Sequence, residues 1–353
     1  MKILMIGVDK KRTGGMWTVS NNYITNKTYN KKVLMHYVST STSGNFFRRI
    51  MKMIKGYICS FFQIIFFKPE IVHIHMAEKG SVVRKSFIIK MAKKRKCKIL
   101  VHMHAGPFMD WYNTLNNRKK IKIKKMFDNI DCLLVLGKYF KKQMKEIIDD
   151  NKIKVLYNGI DIPKINYYLA NKNKKEFFLY SGRINELKGV FDILESIKNC
   201  DDKLPSNIKF VFCGSDETGR FKSTVENLKI ENRIIFEGWV STKKMQEYYK
   251  KSKCLILPSY SEGLSMTIIE AMSYGLPIIT TNITTNPEIL DGICYLVEAG
   301  NKKELSKMIL EYSSNENMLK NISEKEYKRV NELFSIEIMI ENTLKYYEEL
   351  YEK

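Results

Sequence analysis

The sequence predicts an α/β protein built from two doubly wound domains, each with a parallel sheet. Strand-like apolar runs alternate with helical patterns along all 353 residues, and this alternation is typical of strand–helix–strand units. A basic, asparagine-rich stretch interrupts the alternation once, after which it restarts. The chain is long enough for two hydrophobic cores. We therefore expect two sheets whose strands end at a central cleft.

Twelve apolar runs carry this prediction, six in each half of the chain. The first half predicts strands at residues 2–8, 33–38, 71–75, 98–104, 132–136 and 153–157. The second half predicts strands at residues 177–181, 208–213, 234–236, 254–257, 277–280 and 293–297. We expect an N-terminal domain at 1–164, a linker at 165–175 and a C-terminal domain at 176–334. Residues 335–353 predict an amphipathic helix that packs back toward the N-terminal domain.

Charge is distributed unevenly between the two halves. Residues 1–165 carry 34 Lys and Arg against 10 Asp and Glu, whereas residues 166–353 carry 26 against 28, so the halves have net charges of +24 and −2 and sum to +22. A basic half predicts an anionic partner such as a membrane surface, a lipid phosphate or an acidic glycan. The seven cysteines form no C-x-x-C pair. They predict reduced thiols in a cytoplasmic protein without a disulfide framework.

One apolar stretch has two interpretations. Residues 57–67 are almost entirely apolar, and Arg48, Arg49, Lys52 and Lys55 alternate with apolar residues just before them. The interpretation that the pattern favours is a buried crossover helix leading to the strand at 71–75. The alternative is an interfacial helix whose cations face anionic headgroups, which would make the protein peripheral at the inner face of the cell membrane.

Glu262 and Glu270 are the most informative pair of residues in the chain. Glu262 follows the predicted strand at 254–257 directly, and Gly263 lets backbone amides approach a ligand closely. Glu270 lies on the helix that is predicted to begin near Ser265. Because a helix N-terminus favours phosphate, two carboxylates beside it are suited to hold sugar hydroxyls. The pair predicts a site for a nucleotide sugar.

Two cations upstream complete the predicted donor site. Arg183 lies just past the strand at 177–181, and Lys188 precedes Gly189 at the start of the next helix. A departing diphosphate needs such positive charge, which an arginine and a lysine can supply instead of a metal ion. The sequence contains no Asp-x-Asp. We therefore expect no metal requirement and no cofactor besides the donor substrate.

These motifs together resemble family 4 glycosyltransferases of the GT-B fold, and the resemblance runs almost from end to end. It rests on the glycine loop Thr13–Met16, on Ser181-Gly-Arg183 with Lys188-Gly189, and on the E-x7-E motif from Glu262 to Glu270. It also rests on Asn158-Gly-Ile-Asp161 and on Gly275-Leu-Pro277. The resemblance implies two Rossmann-like doubly wound domains that face a central cleft, and transfer of a sugar with retention of its anomeric configuration.

The resemblance also implies roles for individual residues. Arg183 and Lys188 are expected to hold the diphosphate, Glu270 the ribose, and Glu262 the transferred sugar. The amides around Gly263, Leu264 and Ser265 would contact sugar and phosphate, and Gly14 and Gly15 would let the N-terminal loop close over the substrates. His104 matches the family's histidine near the sugar. Glu262, His104, Arg183 and Lys188 are thus the expected catalytic residues.

At three places this chain departs from the family pattern. Thr284-Thr285-Asn286 stands where a glycine pair is usual, Ser265 where Gly or Pro is common, and Tyr157 where proline is usual. These differences bear on which donor is bound more than on whether the protein is active.

His73, His75 and His102 share the strand pattern of His104. A metal cluster among them is not expected, because no Cys or Glu ligand has matching spacing.

The function expected from the sequence is transfer of a hexose from a UDP- or GDP-sugar to a glycan or polyprenyl-linked acceptor. Synthesis of a bacterial surface polysaccharide, such as capsule, exopolysaccharide or lipopolysaccharide, is the expected setting by analogy with the family. The alternative is a weak or inactive homologue that acts as a partner subunit or binds an anionic ligand. A nucleic-acid-binding module leaves the paired glutamates unexplained. A nicotinamide-dependent dehydrogenase would need a G-x-G-x-x-G motif after a strand, and the first loop of this chain offers only Gly14-Gly15.

Overall fold

The structure is a computed structural model that describes residues 1–11, 14–104, 106, 108–171 and 177–352. It divides into two compact units. Unit 1 comprises Met1–Gly159 and Ile336–Lys353, and unit 2 comprises Ile160–Ser335. Thr13 of the predicted glycine loop and residues 172–175 of the predicted linker lie outside the described residues.

Unit 1 contains one six-stranded parallel sheet. Its strands are β1 Lys2–Gly7, β2 Leu34–Ser39, β3 Ile71–Met76, β4 Lys98–Met103, β5 Cys132–Val135 and β6 Ile153–Val155. They lie in the order β2-β1-β3-β4-β5-β6. Every residue of β3 is buried, as expected for a central strand of a parallel sheet that is covered on both faces. The order reverses between β1 and β3, so the carboxyl ends of these two strands flank the switch point of the sheet.

Within the described residues, seven helices connect these strands. They are α1 Gly15–Thr25, α2 Lys27–Lys32, α3 Phe46–Phe62, α4 Gly80–Lys94, α5 Phe108–Asn113, α6 Asn117–Asp128 and α7 Lys138–Met144. A π-helical turn, Gln63–Phe67, continues α3. Asparagine begins several of these helices: the Asn45 side chain accepts a hydrogen bond from the Arg48 amide at 3.0 Å, which satisfies a donor that the first turn leaves without a backbone partner.

Unit 2 repeats the architecture with a second six-stranded parallel sheet. Its strands are β7 Phe177–Ser181, β8 Lys209–Cys213, β9 Ile234–Gly238, β10 Ser252–Leu257, β11 Ile278–Thr281 and β12 Leu296–Val297. They lie in the order β12-β11-β10-β7-β8-β9. The order reverses between β10 and β7. Ligands of doubly wound sheets bind at such a reversal, outside the carboxyl ends of the strands.

In the part of the chain that the structure describes, eight helices belong to unit 2, and one more returns to unit 1. Those of unit 2 are α8 Tyr167–Ala170, α9 Val190–Cys200, α10 Phe221–Leu228, α11 Thr242–Lys251, α12 Met266–Ser273, α13 Asn286–Leu290, α14 Lys302–Ser314 and α15 Glu316–Leu333. The last helix, α16, is Ile336–Tyr351. Its residues Met339, Leu344 and Tyr347 are part of the hydrophobic core of unit 1, where the Tyr347 and Tyr29 hydroxyls are 3.1 Å apart.

The predicted fold class is confirmed, and all twelve predicted strands are present with ends that differ by a few residues. The predicted linker is wrong in its described part. Residues 165–171 include α8, Tyr168 is buried, and the Asn166 amide donates to the Ser323 hydroxyl at 3.0 Å. The segment therefore packs within unit 2. The chain passes between units at 159/160 and at 335/336 instead of at the predicted 164 and 334.

The favoured interpretation of the first long apolar stretch is also wrong. Phe46–Phe67 forms a continuous helical stretch, and it is the one helix among the described residues with the length and composition to cross a membrane. Only 17% of its most apolar 18-residue window is buried. Gly56 and Ser60 face the protein, whereas most of the large apolar side chains are exposed. Apolar spacing predicts a helix correctly but does not say which face the protein covers.

Candidate active site

The carboxyl ends of β7 and β10 bring together the residues that were predicted for the donor site. These strands are neighbours in the sheet of unit 2, so the loops that follow them lie at the same edge. Gly189 has a φ of 66°, in the left-handed region, and a Cβ atom there would collide with the Pro258 carbonyl oxygen. Only glycine allows this approach. The start of α9 can therefore lie directly against the end of β10.

That approach positions Lys188 beside Glu262. The Lys188 ammonium donates to Glu262 Oε1 at 2.6 Å, and the two side chains are 20% and 10% exposed. The Ser259 hydroxyl donates to the same oxygen at 2.8 Å. The Asn185 side chain accepts a hydrogen bond from the Lys188 amide at 3.2 Å, which orders the turn. The structure therefore joins two predicted catalytic residues in one mostly buried ion pair.

Arg183 lies in the same loop but has a different partner. Its guanidinium lies 3.4 Å from Glu217 and its side chain is 68% exposed. The Asn185 amide donates to the other Glu217 oxygen at 2.7 Å. Glu217 belongs to the loop that follows β8, the neighbour of β7. Sequence reasoning did not select Glu217 or Asn185, although a polar loop after a strand adjacent to β7 was a signal that could have found both.

The loop between β10 and α12 supplies the other predicted donor residues. Ser265 is buried and begins α12, but its side chain makes no capping hydrogen bond. Leu264 is buried, and the Gly263 carbonyl accepts a hydrogen bond from the Thr285 hydroxyl at 2.7 Å. The first amides of α12 point away from the helix body, as at any helix N-terminus. The bond from Thr285 thus fixes this loop, and the loop presents backbone N–H donors at the sheet edge.

Glu270 lies one turn into α12, in a different environment from Glu262. The Tyr249 hydroxyl donates to Glu270 Oε2 at 3.1 Å. Although the residue keeps an exposed surface, protein atoms around its carboxyl group raise the pKa of Glu270 by desolvation. Tyr249 is buried and stacks on Tyr274 at 5.4 Å. This aromatic support for Glu270 was not anticipated from the sequence.

Thr284 has the backbone geometry of the glycine that the family pattern leads one to expect near this position. Its φ is 43°, in the left-handed region, which is strained for a β-branched residue. Its hydroxyl is buried and has no hydrogen-bond partner among the described residues. The next residue, Thr285, makes the contact to Gly263 described above. The departure from the family pattern therefore lies directly beside the predicted donor loop.

The remaining predicted site residues lie in unit 1. Gly14 precedes α1 with a φ of 131°, and Gly15 is the first residue of α1. A Cβ atom on either residue would meet no atom within 4 Å. Conformation, and not crowding, is therefore what requires glycine at position 14.

His104 directly follows β4 and belongs to a cluster of four histidines. His104 Nε2 lies 2.7 Å from His75 Nδ1, so one ring donates and the other accepts. The His102 and His104 rings are 4.2 Å apart, and His73 Nδ1 lies 2.5 Å from the Tyr347 hydroxyl. Burial lowers the pKa of His104 and of His73 to about 3, because desolvation opposes the charged form. The cluster is therefore neutral at physiological pH.

Three of these histidines have the spacing of a loose metal site. Ring nitrogens of His73, His75 and His102 lie within 4.8 Å of one another, whereas two nitrogens on one tetrahedral zinc ion lie roughly 3.4 Å apart. Neither ring nitrogen of His102 has a hydrogen-bond partner among the described residues. The sequence prediction that no metal is required stays a prediction, and this cluster is where an experiment should look for one.

Unit 1 also contains a basic cavity at the switch point of its sheet. The cavity measures about 230 Å³ and lies beside the start of α4. Four cations line it together with Glu78 and Ser81: Arg49, Lys79, Arg84 and Lys85. Lys85 is buried, and its ammonium donates to the Thr40 hydroxyl at 2.6 Å. The cation excess makes this cavity suited to an anionic group.

Comparisons with known proteins agree with this geometry. Residues 161–329, nearly all of unit 2, match the family described as "Glycosyl transferases group 1". An uncharacterised 41.2 kDa protein in the cps region of Klebsiella pneumoniae is 28% identical over 306 residues, which cover 79% of this chain and 81% of that protein. The alpha-galactosylglucosyldiacylglycerol synthase of Streptococcus pneumoniae is 33% identical over 173 residues, covering 48% of this chain and 44% of that enzyme.

A solved structure extends the likeness in fold to both units. Anabaena HepE, solved in complex with UDP, has a TM-score of 0.75 with 12% identity, over 99% of this chain and 100% of that one. At this identity the likeness concerns the fold alone. The family match lies over the unit that holds Arg183, Lys188, Glu262 and Glu270. The chain is a glycosyltransferase with the GT-B fold, and its match to the group 1 glycosyltransferases lies within unit 2.

Proposed function

We propose that this glycosyltransferase moves a hexose from a nucleotide-diphosphate sugar to its acceptor with retention of configuration and without a metal ion. The observation that carries the proposal is the Lys188–Glu262 ion pair at the switch point of unit 2. It joins a cation suited to a diphosphate with a carboxylate suited to sugar hydroxyls. The complex of HepE with UDP supports a nucleotide-linked donor.

The roles of the residues follow from what each could hold. Lys188 and Arg183 would stabilise the negative charge that develops on the leaving diphosphate. Glu262 would accept hydrogen bonds from the sugar, and Glu270 would accept them from the ribose. The amides at the start of α12, after Ser265, would face a phosphate oxygen. Both cations have carboxylate partners, Glu262 and Glu217, so donor binding would replace one set of charge contacts by another.

The reaction would proceed on one face of the sugar. The acceptor oxygen forms a bond to the anomeric carbon while the bond from that carbon to the diphosphate oxygen breaks. The acceptor proton passes to a phosphate oxygen of the donor, so no side chain has to act as a nucleophile. His104, which is neutral because burial lowers its pKa to about 3, would orient the sugar by hydrogen bonding. Gly14 and Gly15 would let their loop approach the substrates.

The acceptor would be an anionic or lipid-linked glycan. The basic cavity of unit 1 supports an acceptor that carries phosphate, because Arg49, Lys79 and Arg84 line it. Among the relatives, one acts in glycolipid synthesis by its name, and another lies in a cps region. Synthesis of a bacterial surface polysaccharide is therefore the setting that we propose, with a polyprenyl-linked glycan as the acceptor.

A donor screen followed by product analysis tests the proposal. The full chain should show a raised melting temperature with one class of nucleotide sugar, because a ligand that binds only the folded state stabilises it. UDP-sugars and GDP-sugars are compared first, each with the free nucleotide as control. With the donor identified, NMR of the product should show the anomeric configuration of the donor sugar.

Separate outcomes would contradict separate parts of the proposal. An inverted product would exclude retention. Loss of activity in EDTA, with recovery on adding Mg²⁺ or Mn²⁺, would exclude a metal-free reaction. Absence of both donor hydrolysis and transfer across all donors and a panel of phosphate-bearing acceptors would favour the alternative of an inactive partner subunit.

A further inference from the structure

The helix α3 exposes a continuous apolar face. This apolar face consists of six side chains that are between 43% and 72% exposed: Phe47, Met51, Ile54, Ile58, Phe61 and Phe62. The first five follow one another at intervals of four, three, four and three residues, and Phe62 is adjacent to Phe61 in the sequence. This spacing keeps all six on one side of a helix. Six large side chains in one exposed row mark an interaction surface, because soluble monomers avoid large contiguous apolar patches.

The opposite side of α3 fixes the orientation of this face. Gly56 and Ser60 are buried, one turn apart. A Cβ atom at Gly56 would lie 2.9 Å from the Ser39 carbonyl oxygen and 3.0 Å from Thr40 Cα. The helix therefore packs on the end of β2 through its smallest side chains. Rotating the aromatic residues inward would place large side chains where a single methyl group does not fit.

The apolar face continues beyond α3. Phe66, in the π-helical turn, is 74% exposed, and its ring stacks on Phe62 at 5.8 Å. On α4, Phe87 is half-exposed and its ring lies 5.1 Å from that of Tyr57. Val83, one turn earlier on α4, is 71% exposed. The surface thus spans two neighbouring helices, which is broader than a single groove-binding helix.

Positive charge borders the apolar face. Arg48 and Lys55 lie on α3 beside it at helical spacing, and the stretch 46–67 contains no acidic residue. Lys52, further round the helix, is paired with Asp9 at 2.7 Å. A two-fold contact with a second copy through this face would bring the bordering cations of both copies together, which is unfavourable. Anionic lipid headgroups complement both the cations and the apolar side chains.

We propose that the apolar face of α3 docks unit 1 on an anionic lipid bilayer, with the helix lying in the plane of the membrane interface. The apolar side chains enter the boundary between headgroups and acyl chains, and Arg48 and Lys55 contact the headgroups. The helix does not cross the bilayer, because Gly56 stays packed against the end of β2 and Ser60 stays buried. This docking goes beyond the proposed function and holds whichever sugar the protein transfers.

Vesicle sedimentation with the full chain tests the docking. Vesicles of phosphatidylcholine are compared with vesicles that also contain phosphatidylglycerol, at low and at high salt. We expect binding to the anionic vesicles that weakens with salt, since salt screens charges beyond about 8–10 Å. The variant Ile54→Ser/Ile58→Ser/Phe61→Ser should bind about tenfold or more weakly, because its contact face loses buried apolar area.

Matched variants separate the contact from general effects. Tyr351→Ser removes an aromatic residue that is 60% exposed on α16 and should leave vesicle binding unchanged. Arg48→Glu/Lys55→Glu should weaken binding to anionic vesicles by about tenfold. Lys320→Glu/Lys325→Glu, which changes the net charge equally on α15 of unit 2, should have a much smaller effect. Circular dichroism and thermal melting identify any variant that fails to fold.

Three results would overturn the docking. One is a wild-type protein that does not sediment with anionic vesicles at low salt. Another is unchanged vesicle binding by the folded triple-serine variant. The third is a dimer in light scattering without lipid that becomes a monomer in that variant, because a second copy would then be what covers the apolar face.

Discussion

The two units share one architecture but differ in the charges at the ends of their strands. Each has a six-stranded parallel sheet with a reversal of strand order. At the reversal of unit 2, cations meet carboxylates, as Lys188 meets Glu262. At the reversal of unit 1, cations outnumber Glu78 in the lining of a cavity. The comparison teaches that the fold fixes where a site lies, while the side chains at the strand ends determine what it binds.

The largest expected effect concerns the ion pair of unit 2. Lys188→Ala should lower kcat by about a hundredfold or more, because the variant loses a charge that stabilises the leaving diphosphate. Steady-state kinetics with the identified donor measures this change. Lys222→Ala removes a cation that is 89% exposed on α10 and should leave kcat unchanged. A Lys188→Ala enzyme with the wild-type kcat would remove Lys188 from the catalytic residues.

The second prediction is that acid affects the two units in opposite directions. Burial lowers the pKa of His73 and His104 to about 3 from 6.5. The unfolded chain therefore binds protons that folded unit 1 does not, and unit 1 loses stability as pH falls from about 6.5 toward 3. Burial raises the pKa of Glu326 in unit 2 well above 4.5. Because this carboxyl group holds its proton more tightly in folded unit 2 than in the unfolded chain, its burial costs unit 2 stability at neutral pH, and a fall in pH toward 4.5 removes that cost.

Hydrogen exchange followed by mass spectrometry measures the two units separately. Between pH 7 and pH 5, protection should decrease in the core strands of unit 1 relative to those of unit 2, after correction for intrinsic exchange rates. Glu326→Gln should make unit 2 more stable at pH 7 and less sensitive to pH. Equal pH responses in both units would contradict the contrast between buried histidines and a buried carboxyl group.

A smaller effect is expected at Glu270. Glu270→Gln should weaken donor binding by about tenfold, because a neutral amide is a poorer acceptor for ribose hydroxyls than a carboxylate. The same variant should melt at a slightly higher temperature, since the folded state raises the pKa of Glu270 and thus disfavours its charge at neutral pH. Isothermal titration and thermal melting measure the two effects. Glu247→Gln, on the exposed side of α11, is the control, and an unchanged donor affinity for Glu270→Gln would exclude the ribose contact.

The smallest effect distinguishes two adjacent threonines of unit 2. Thr284→Gly should raise the free energy of unfolding by about 1 kcal/mol, because glycine adopts the left-handed φ of 43° without strain. Thr285→Gly should lower it, since the Thr285 hydroxyl bonds to the Gly263 carbonyl at 2.7 Å. Chemical denaturation measures both variants. Destabilisation by Thr284→Gly would mean that its buried hydroxyl has a stabilising contact.

Pattern alone predicted the elements of both units well, because parallel strands are short apolar runs with clear borders. The strand at Phe177–Ser181 agrees at both ends. The strand-end rule also placed Arg183, Lys188 and Glu262 at one sheet edge before any geometry was known. The direct contact of Lys188 with Glu262 was not predictable in this way. It depends on Gly189 approaching the Pro258 carbonyl, which is a tertiary contact between two loops.

Sequence patterns predict the burial of whole helices less well than they predict the helices themselves. The residues of α3 favoured a buried crossover helix over an interfacial helix, although periodicity does not reveal what lies opposite each face. The stretch after Ile165 looked like a linker through its composition, yet Tyr168 is buried within unit 2. In both places the decisive information is a partner distant in the sequence, Thr40 for α3 and Ser323 for Asn166.

The return of α16 to unit 1 has a consequence for synthesis on the ribosome. All of Ile160–Ser335 emerges before α16 does, so unit 2 can fold while unit 1 still lacks a helix of its core. Until Tyr347 arrives, Tyr29 lacks its hydroxyl partner and His73 lacks a hydrogen bond. Domains usually complete folding in the order in which they are made. Here we expect the first unit to be translated to be the last to reach its native state.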